Sequence, residues 1–167
     1  MIVNDILNNP IVPFELDDPK LVLLFSYYLH LAPNINSKRS RILTNEKLDK
    51  GWNDFLTNLG MNFNDYHIYA SGFIKDEQLR KYKLYTTDSV EKKSKRFICY
   101  YKPGETKELV CFLRHIRNSI AHGSVYLLVK GRKYILFDDY NTNNNLTARI
   151  LLAQTDLTSL KKILDKL

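Results

Sequence analysis

The sequence predicts a mainly α protein of the α+β kind, a helical bundle with a small antiparallel β-sheet late in the chain. Three observations carry this. Capped apolar runs fill the first third of the chain, the stretch 105–122 repeats apolar residues at helical spacing, and two short apolar runs flank a glycine-containing turn at 130–133.

Asp17-Asp18-Pro19 has the form of a helix start, with an Asp cap and Pro in the first turn, where its missing N–H costs nothing. The run Leu21 to Leu31 is apolar nearly all round, so this helix belongs in the core, and Pro33 and Asn34 end it. Thr44 caps a second helix through Leu48, Trp52, Phe55, Leu56 and Leu59, and Gly60 stops it. Asp65 to Lys83 is expected to be helical, with Ile74, Leu79 and Tyr82 on one side and Gly72 as a weak point; Thr86 to Ser94 is a polar loop. Arg96 to Tyr101 has strand composition and stops at Lys102-Pro103-Gly104.

The clearest element is the helix from Glu105 to His122. Leu109, Phe112, Leu113, Ile116 and Ile120 form its buried stripe, Glu105 and Glu108 favour its N-terminal end, and Gly123 caps the other. Val125–Val129 and Tyr134–Phe137 then form a hairpin around 130–133. Asp139 to Asn145 is an Asn-rich loop, Arg149–Ala153 a third strand, and Thr155-Asp156 the cap of a last helix that turns Leu157, Leu160, Ile163, Leu164 and Leu167 inward. No repeat or linker divides the chain, so residues 1–167 are expected to be one domain.

Composition excludes several classes. No apolar run approaches the roughly 18 to 20 residues of a membrane-spanning helix. The N-terminal residues lack the basic start of a secretory signal, so a cytoplasmic protein is expected. Cys99 and Cys111 have no metal-ligand spacing and are expected to be buried, reduced thiols. The formal net charge is +7, compatible with an anionic partner such as nucleic acid. Residues 75–102 concentrate it, with nine positive side chains against four negative, which suits either a solvated connection or a phosphate-contacting surface. Asp138-Asp139-Tyr140-Asn141-Thr142-Asn143 has the flavour of a calcium loop but lacks the following Gly and an acid at its twelfth position, Ile150. It is therefore read as a hairpin exit with Asx turns, and no metal or other cofactor is expected.

On the 105–122 helix, each residue advances about 100°. His115, Asn118, Ser119 and His122 share a narrow arc opposite the apolar stripe, with Arg114 and Arg117 between. A solvated face normally carries Lys and Glu, and this one has neither between Arg114 and His122. Histidine moves protons near neutral pH, and the arginine fork meets phosphate oxygens and charge that builds up in phosphoryl transfer. These are the groups that RNA cleavage without metal requires. Arg117 and His122 leave an ideal helix about 140° apart, so one helix aims both at one phosphate only if its last turn unwinds at Gly123, whereas two copies related by a two-fold axis could assemble a shared site. The residue types alone also fit a structural reading, with His122 as a cation at the helix C-terminus and Asn118 in a structural hydrogen bond.

The string Arg117-Asn118-x-x-Ala121-His122-Gly123 resembles the signature of the HEPN superfamily of nucleotide-binding domains, and the chain after Gly123 looks like stand-alone bacterial HEPN nucleases of toxin–antitoxin and phage-defence systems. The resemblance covers about residues 105–167. It implies a helical bundle that dimerises, bringing two motifs into one cleft, and metal-independent RNA cleavage that leaves a cyclic phosphate. Arg117 would contact the phosphate, His122 would transfer the proton, and Asn118 would orient the substrate or His122. Arg114, His115 and Ser119 are candidate substrate-binding residues from the shared face, which the family motif does not assign. Implied partners are RNA, a second copy of the chain and a nucleotidyltransferase-like antitoxin. Some members of the superfamily have lost catalysis and act as binding or regulatory modules, which is the alternative reading.

Overall fold

The computed structural model describes residues 10–86 and 95–167. Helix α1 (Pro19–His30) starts where the Asp18 carboxylate accepts the Leu21 N–H at 3.1 Å, with Pro at its first position. Helix α2 (Asn45–Leu59) is capped by the Thr44 hydroxyl and closed by Gly60 at φ +65°. Strand β1 (Tyr66–Tyr69), helix α3 (Asp76–Lys81) and strand β2 (Arg96–Tyr100) follow. Helix α4 (Glu108–Ala121), strands β3 (Val125–Lys130), β4 (Arg132–Tyr140) and β5 (Leu146–Ala153), and helix α5 (Gln154–Asp165) complete the order.

The expected bundle with a small late sheet is not what forms. The described residues are 40% helix and 21% strand, and the five strands among them make one mixed sheet in the order β1-β2-β5-β4-β3. β1 lies parallel to β2, with Ile68 beside Cys99, and the remaining pairs are antiparallel. The difference is centred on residues 65–83. Ile74, Leu79 and Tyr82 do pack together, but Gly72 at φ +113° breaks the chain direction, leaving a four-residue strand before it and a six-residue helix after it. The expected loop at 86–94 lies mostly outside the described residues, and the expected loop start at Asp139 is instead still strand.

Alternation along the strands sorts the two faces. Phe97, Cys99, Ile135, Phe137, Ile150 and Leu152 turn toward α1, α2, α4 and α5, forming the larger core. Trp52 sits near its centre, with the rings of Phe55, Phe97 and Phe112 at 6.0, 5.7 and 5.4 Å. Ile98, Tyr100, Tyr134, Leu136 and Leu151 turn to the opposite face and meet Ile74, Leu79, Tyr82 and Leu84. On that face Asp138 and Arg149, cross-strand neighbours, form a buried two-pronged pair with both contacts at 2.8 Å. The Asn-rich turn behaves as expected, with Asn141 Oδ1 accepting the N–H groups of Asn143 and Asn145.

Helix α4 ends at His122, whose N–H reaches the Asn118 carbonyl at 2.9 Å. The Ser124 N–H donates to the Ser119 carbonyl and the Gly123 N–H to Ile120, with Gly123 at φ +71°. This is the paired closure that a left-handed residue permits. A Cβ at Gly123 meets nothing within 4 Å, so the strain of Gly123→Ala is purely conformational. Chemical denaturation is expected to show a loss of about 1 kcal/mol.

Candidate functional site on the fourth helix

Helix α4 crosses the sheet with its apolar stripe in the larger core, and its polar arc reaches β4 through His115 and Asn118. His115 and Ser119, at 1% exposure each, are buried. The Ser119 hydroxyl donates to the His115 carbonyl one turn back, at 2.8 Å. Asn118 and Arg117 are half-buried, and His122 is exposed.

His115 is held at both ring nitrogens by acceptors. Nδ1 lies 2.8 Å from Asp139 Oδ2, and Nε2 lies 2.8 Å from the Tyr100 carbonyl. A carboxylate and a carbonyl can only accept, so the ring carries both protons. Burial is the largest single influence and pulls the imidazole pKa down, but the Asp139 and Cys111 interactions together outweigh it and the net shift is upward. Arg114 Nη2, 3.2 Å from Nε2, is a fellow donor to the same carbonyl at 3.1 Å. Glu105 takes Arg114 in a fork, at 2.9 Å to Nε and 2.8 Å to Nη2.

From Asp139 the network runs outward along the helix. Asn118 Nδ2 donates to Asp139 Oδ2 at 3.2 Å, which turns Oδ1 toward Arg117, and Arg117 Nη1 donates to it at 3.3 Å. Arg117 Nε is buried without a hydrogen-bond partner. The guanidinium is thus held by an amide and has no carboxylate to neutralise it among the described residues. The helix stays regular to Ala121, so Arg117 and His122 diverge by about 140° and do not converge within one chain. The His122 imidazole has no hydrogen bond among the described residues.

A family model, HEPN pEK499 p136, matches residues 23–167. The chain belongs to this HEPN family. The match extends well upstream of the Arg117–Gly123 string and takes in every element of the fold except the first turn of α1. HEPN membership points to a nucleotide-binding or nuclease-like role. Comparisons with curated proteins and with solved structures each find no match.

Other expectations meet the structure unevenly. Both cysteines are buried free thiols. No helix among the described residues is long and apolar enough to cross a membrane. The basic stretch is partly spoken for: Lys95 pairs with Asp156, Arg96 with Asp65, and the Arg80 guanidinium lies over the Tyr85 ring. Lys92 and Lys93 lie outside the described residues. Sequence reasoning did not find Asp139, Glu105 or the Tyr100 carbonyl, which order the α4 arc through contacts made only once the sheet forms.

The raised pKa of His115 sets a pH window. Its stabilising contribution is complete below the unfolded value of about 6.5 and fades as pH rises through the higher folded value. In Asp139→Asn the buried imidazolium loses its counter-ion. The stability gap between wild type and variant is therefore expected to be widest in mildly acidic solution and to narrow toward alkaline pH. Denaturation midpoints across that range provide the measurement, and a gap independent of pH would refute the charged pair.

Proposed function

We propose that the protein is a metal-independent endoribonuclease of the toxin–antitoxin or phage-defence kind, with a site shared between two copies of the chain. The carrying observation is the Asp139–Asn118–Arg117 network, which holds a guanidinium in place without neutralising it, one turn from an exposed histidine. In this reading Arg117 binds the scissile phosphate and meets the charge that grows on it, since a fixed cation costs no rearrangement as the reaction proceeds. His122 of one copy takes the proton of the 2′-hydroxyl, whose oxygen attacks the adjacent phosphorus. The P–O5′ bond breaks, the departing oxygen gains a proton, and a 2′,3′-cyclic phosphate remains.

HEPN membership supports the assignment, as does the divergence of Arg117 from His122, which a two-fold related copy would resolve by placing one residue of each kind from opposite chains together. An antitoxin, nucleotidyltransferase-like in the expected case, would act by covering Arg117. One observation favours the second reading, a non-catalytic binding or regulatory module: no described group orients the His122 imidazole, whereas a catalytic histidine usually has such a partner. A second copy could supply it.

The test is cleavage of RNA in EDTA by purified protein. His122→Ala and Arg117→Ala are each expected to lower the rate by about 100-fold or more, the scale of a lost proton-transfer or charge-stabilising group. Cleavage that survives both changes refutes the site, and salt-sensitive RNA binding without turnover favours the module.

A further inference from the structure

A cleft of about 550 Å³ opens at the end of the sheet beside α4, on the Asn118 side of the helix. The chain after β1, the end of β2, the end of β4 and the start of β5 meet there under Arg114, His115 and Asn118. Its size lies within the range of small-ligand sites, roughly 300–1,000 Å³. The Arg117/His122 reading uses Asn118 and Asp139 from its wall only to hold Arg117 and assigns the cleft no ligand.

Its polar groups are unevenly satisfied. Arg114 is neutralised by Glu105, and His115 and Asp139 neutralise each other. Lys102, exposed at the rim, has no ion-pair partner among the described residues. Deeper in, Asp139 Oδ2 takes both the His115 and the Asn118 donors, while Oδ1 receives none. Asp139 is only 4% exposed, so this is a nearly buried carboxylate oxygen in the wall of an open cleft. Asn141 spends Oδ1 on two backbone N–H groups, which leaves its NH₂ as a donor at the same rim. Tyr101 and Tyr140, both half-buried, also line the cleft, the Tyr140 hydroxyl being turned to Asp138 on the other face of the sheet. The backbone of Gly72 lies so close to the Tyr100 ring that a Cβ there would come within 3.3 Å of it, at a φ of +113° that side chains rarely adopt.

We propose that this cleft binds one unstacked nucleotide whose base carries an exocyclic amino group, with Asp139 Oδ1 accepting from that amino group and Lys102 meeting the phosphate. Tyr101 in the lining offers an aromatic surface to a flat heterocycle. The unshared carboxylate oxygen asks for an N–H donor, and the Asn141 amide offers a donor in return to a ring nitrogen or carbonyl. Uracil is disfavoured, because its one N–H sits between two carbonyl oxygens that would face the carboxylate. Asn118 borders the cleft and also holds Arg117, so a base seated here lies next to the candidate phosphate contact. The nucleotide can be free or part of a single-stranded RNA. The second source rests on the nuclease reading; the first does not.

The experiment is calorimetric titration of the full chain in EDTA with CMP, AMP, GMP and UMP. A second arm uses short unpaired oligoribonucleotides methylated at the 2′-oxygen, which cannot be cleaved. CMP, AMP and GMP are expected to bind more tightly than UMP. Lys102→Glu and Ser71→Trp, both at exposed rim positions, are expected to weaken binding by about tenfold or more, the scale of one hydrogen bond to a charged group. Binding by the oligomers alone assigns the cleft to an RNA segment, and binding by monophosphates assigns it to a free nucleotide as well. The proposal is overturned by failure of both arms, by binding that the two rim variants leave unchanged, or by equal affinity for UMP. Nucleotide binding without RNA cleavage would remove the nuclease reading and leave the cleft standing. RNA cleavage with no binding in either arm would do the reverse.

Discussion

The hydrogen bond between His115 and Asp139 is the constraint on which the rest of the α4 region depends. It places a protonated ring in the interior, where an unpaired charge would be costly, so helix and strand must meet in one relative position. The same carboxylate oxygen fixes the Asn118 amide, and the other ring nitrogen fixes the end of β2 through the Tyr100 carbonyl. That carbonyl accepts from Arg114 as well, which draws in Glu105 from the turn before the helix. One buried pair thus sets the approach of α4 to the middle of the sheet, and the orientation of Arg117 follows from it.

This arrangement separates two jobs that the helix sequence mixes. His115 and Ser119 serve the interior, whereas Arg117 and His122 remain available at the surface. Asn118 stands between, with one end of its amide on each side. A helix with lysine and glutamate in these places could be solvated in many orientations. This one is tied to the sheet through the Arg114, His115 and Asn118 donors.

Legibility in the sequence followed the range of the interactions. The ends of α1, α2 and α4 were readable because Asp18, Thr44, Gly60 and Gly123 act on their own neighbours. The hairpin of β3 and β4 was readable because its turn is local. Strand β1 was not: Tyr66–Tyr69 becomes a strand by pairing with β2 across some thirty residues of chain, and nothing within its four residues announces that partner. The Arg117–Gly123 string was visible as a motif. Asp139 was hidden because it was read with the asparagines that follow it, although its role comes from α4 and its place at the end of β4. Helical periodicity correctly grouped His115, Asn118 and Ser119, yet gave no means of telling a face turned to water from one turned to a carboxylate.

The adjacent acids Asp138 and Asp139 carry a consequence for how the sheet assembles. Successive strand residues face opposite ways, so one carboxylate meets Arg149 beneath the sheet and the next meets His115 above it. A slip of β4 by one residue would put one carboxylate in the other's place and set Phe137 against Arg149 or Tyr140 against His115, stranding one buried cation in either direction. A purely hydrophobic strand could tolerate such a slip with modest loss, since either face would find greasy neighbours. Here a misaligned strand leaves a buried charge without its partner, so the alignment of β4 is set by charge as well as by packing.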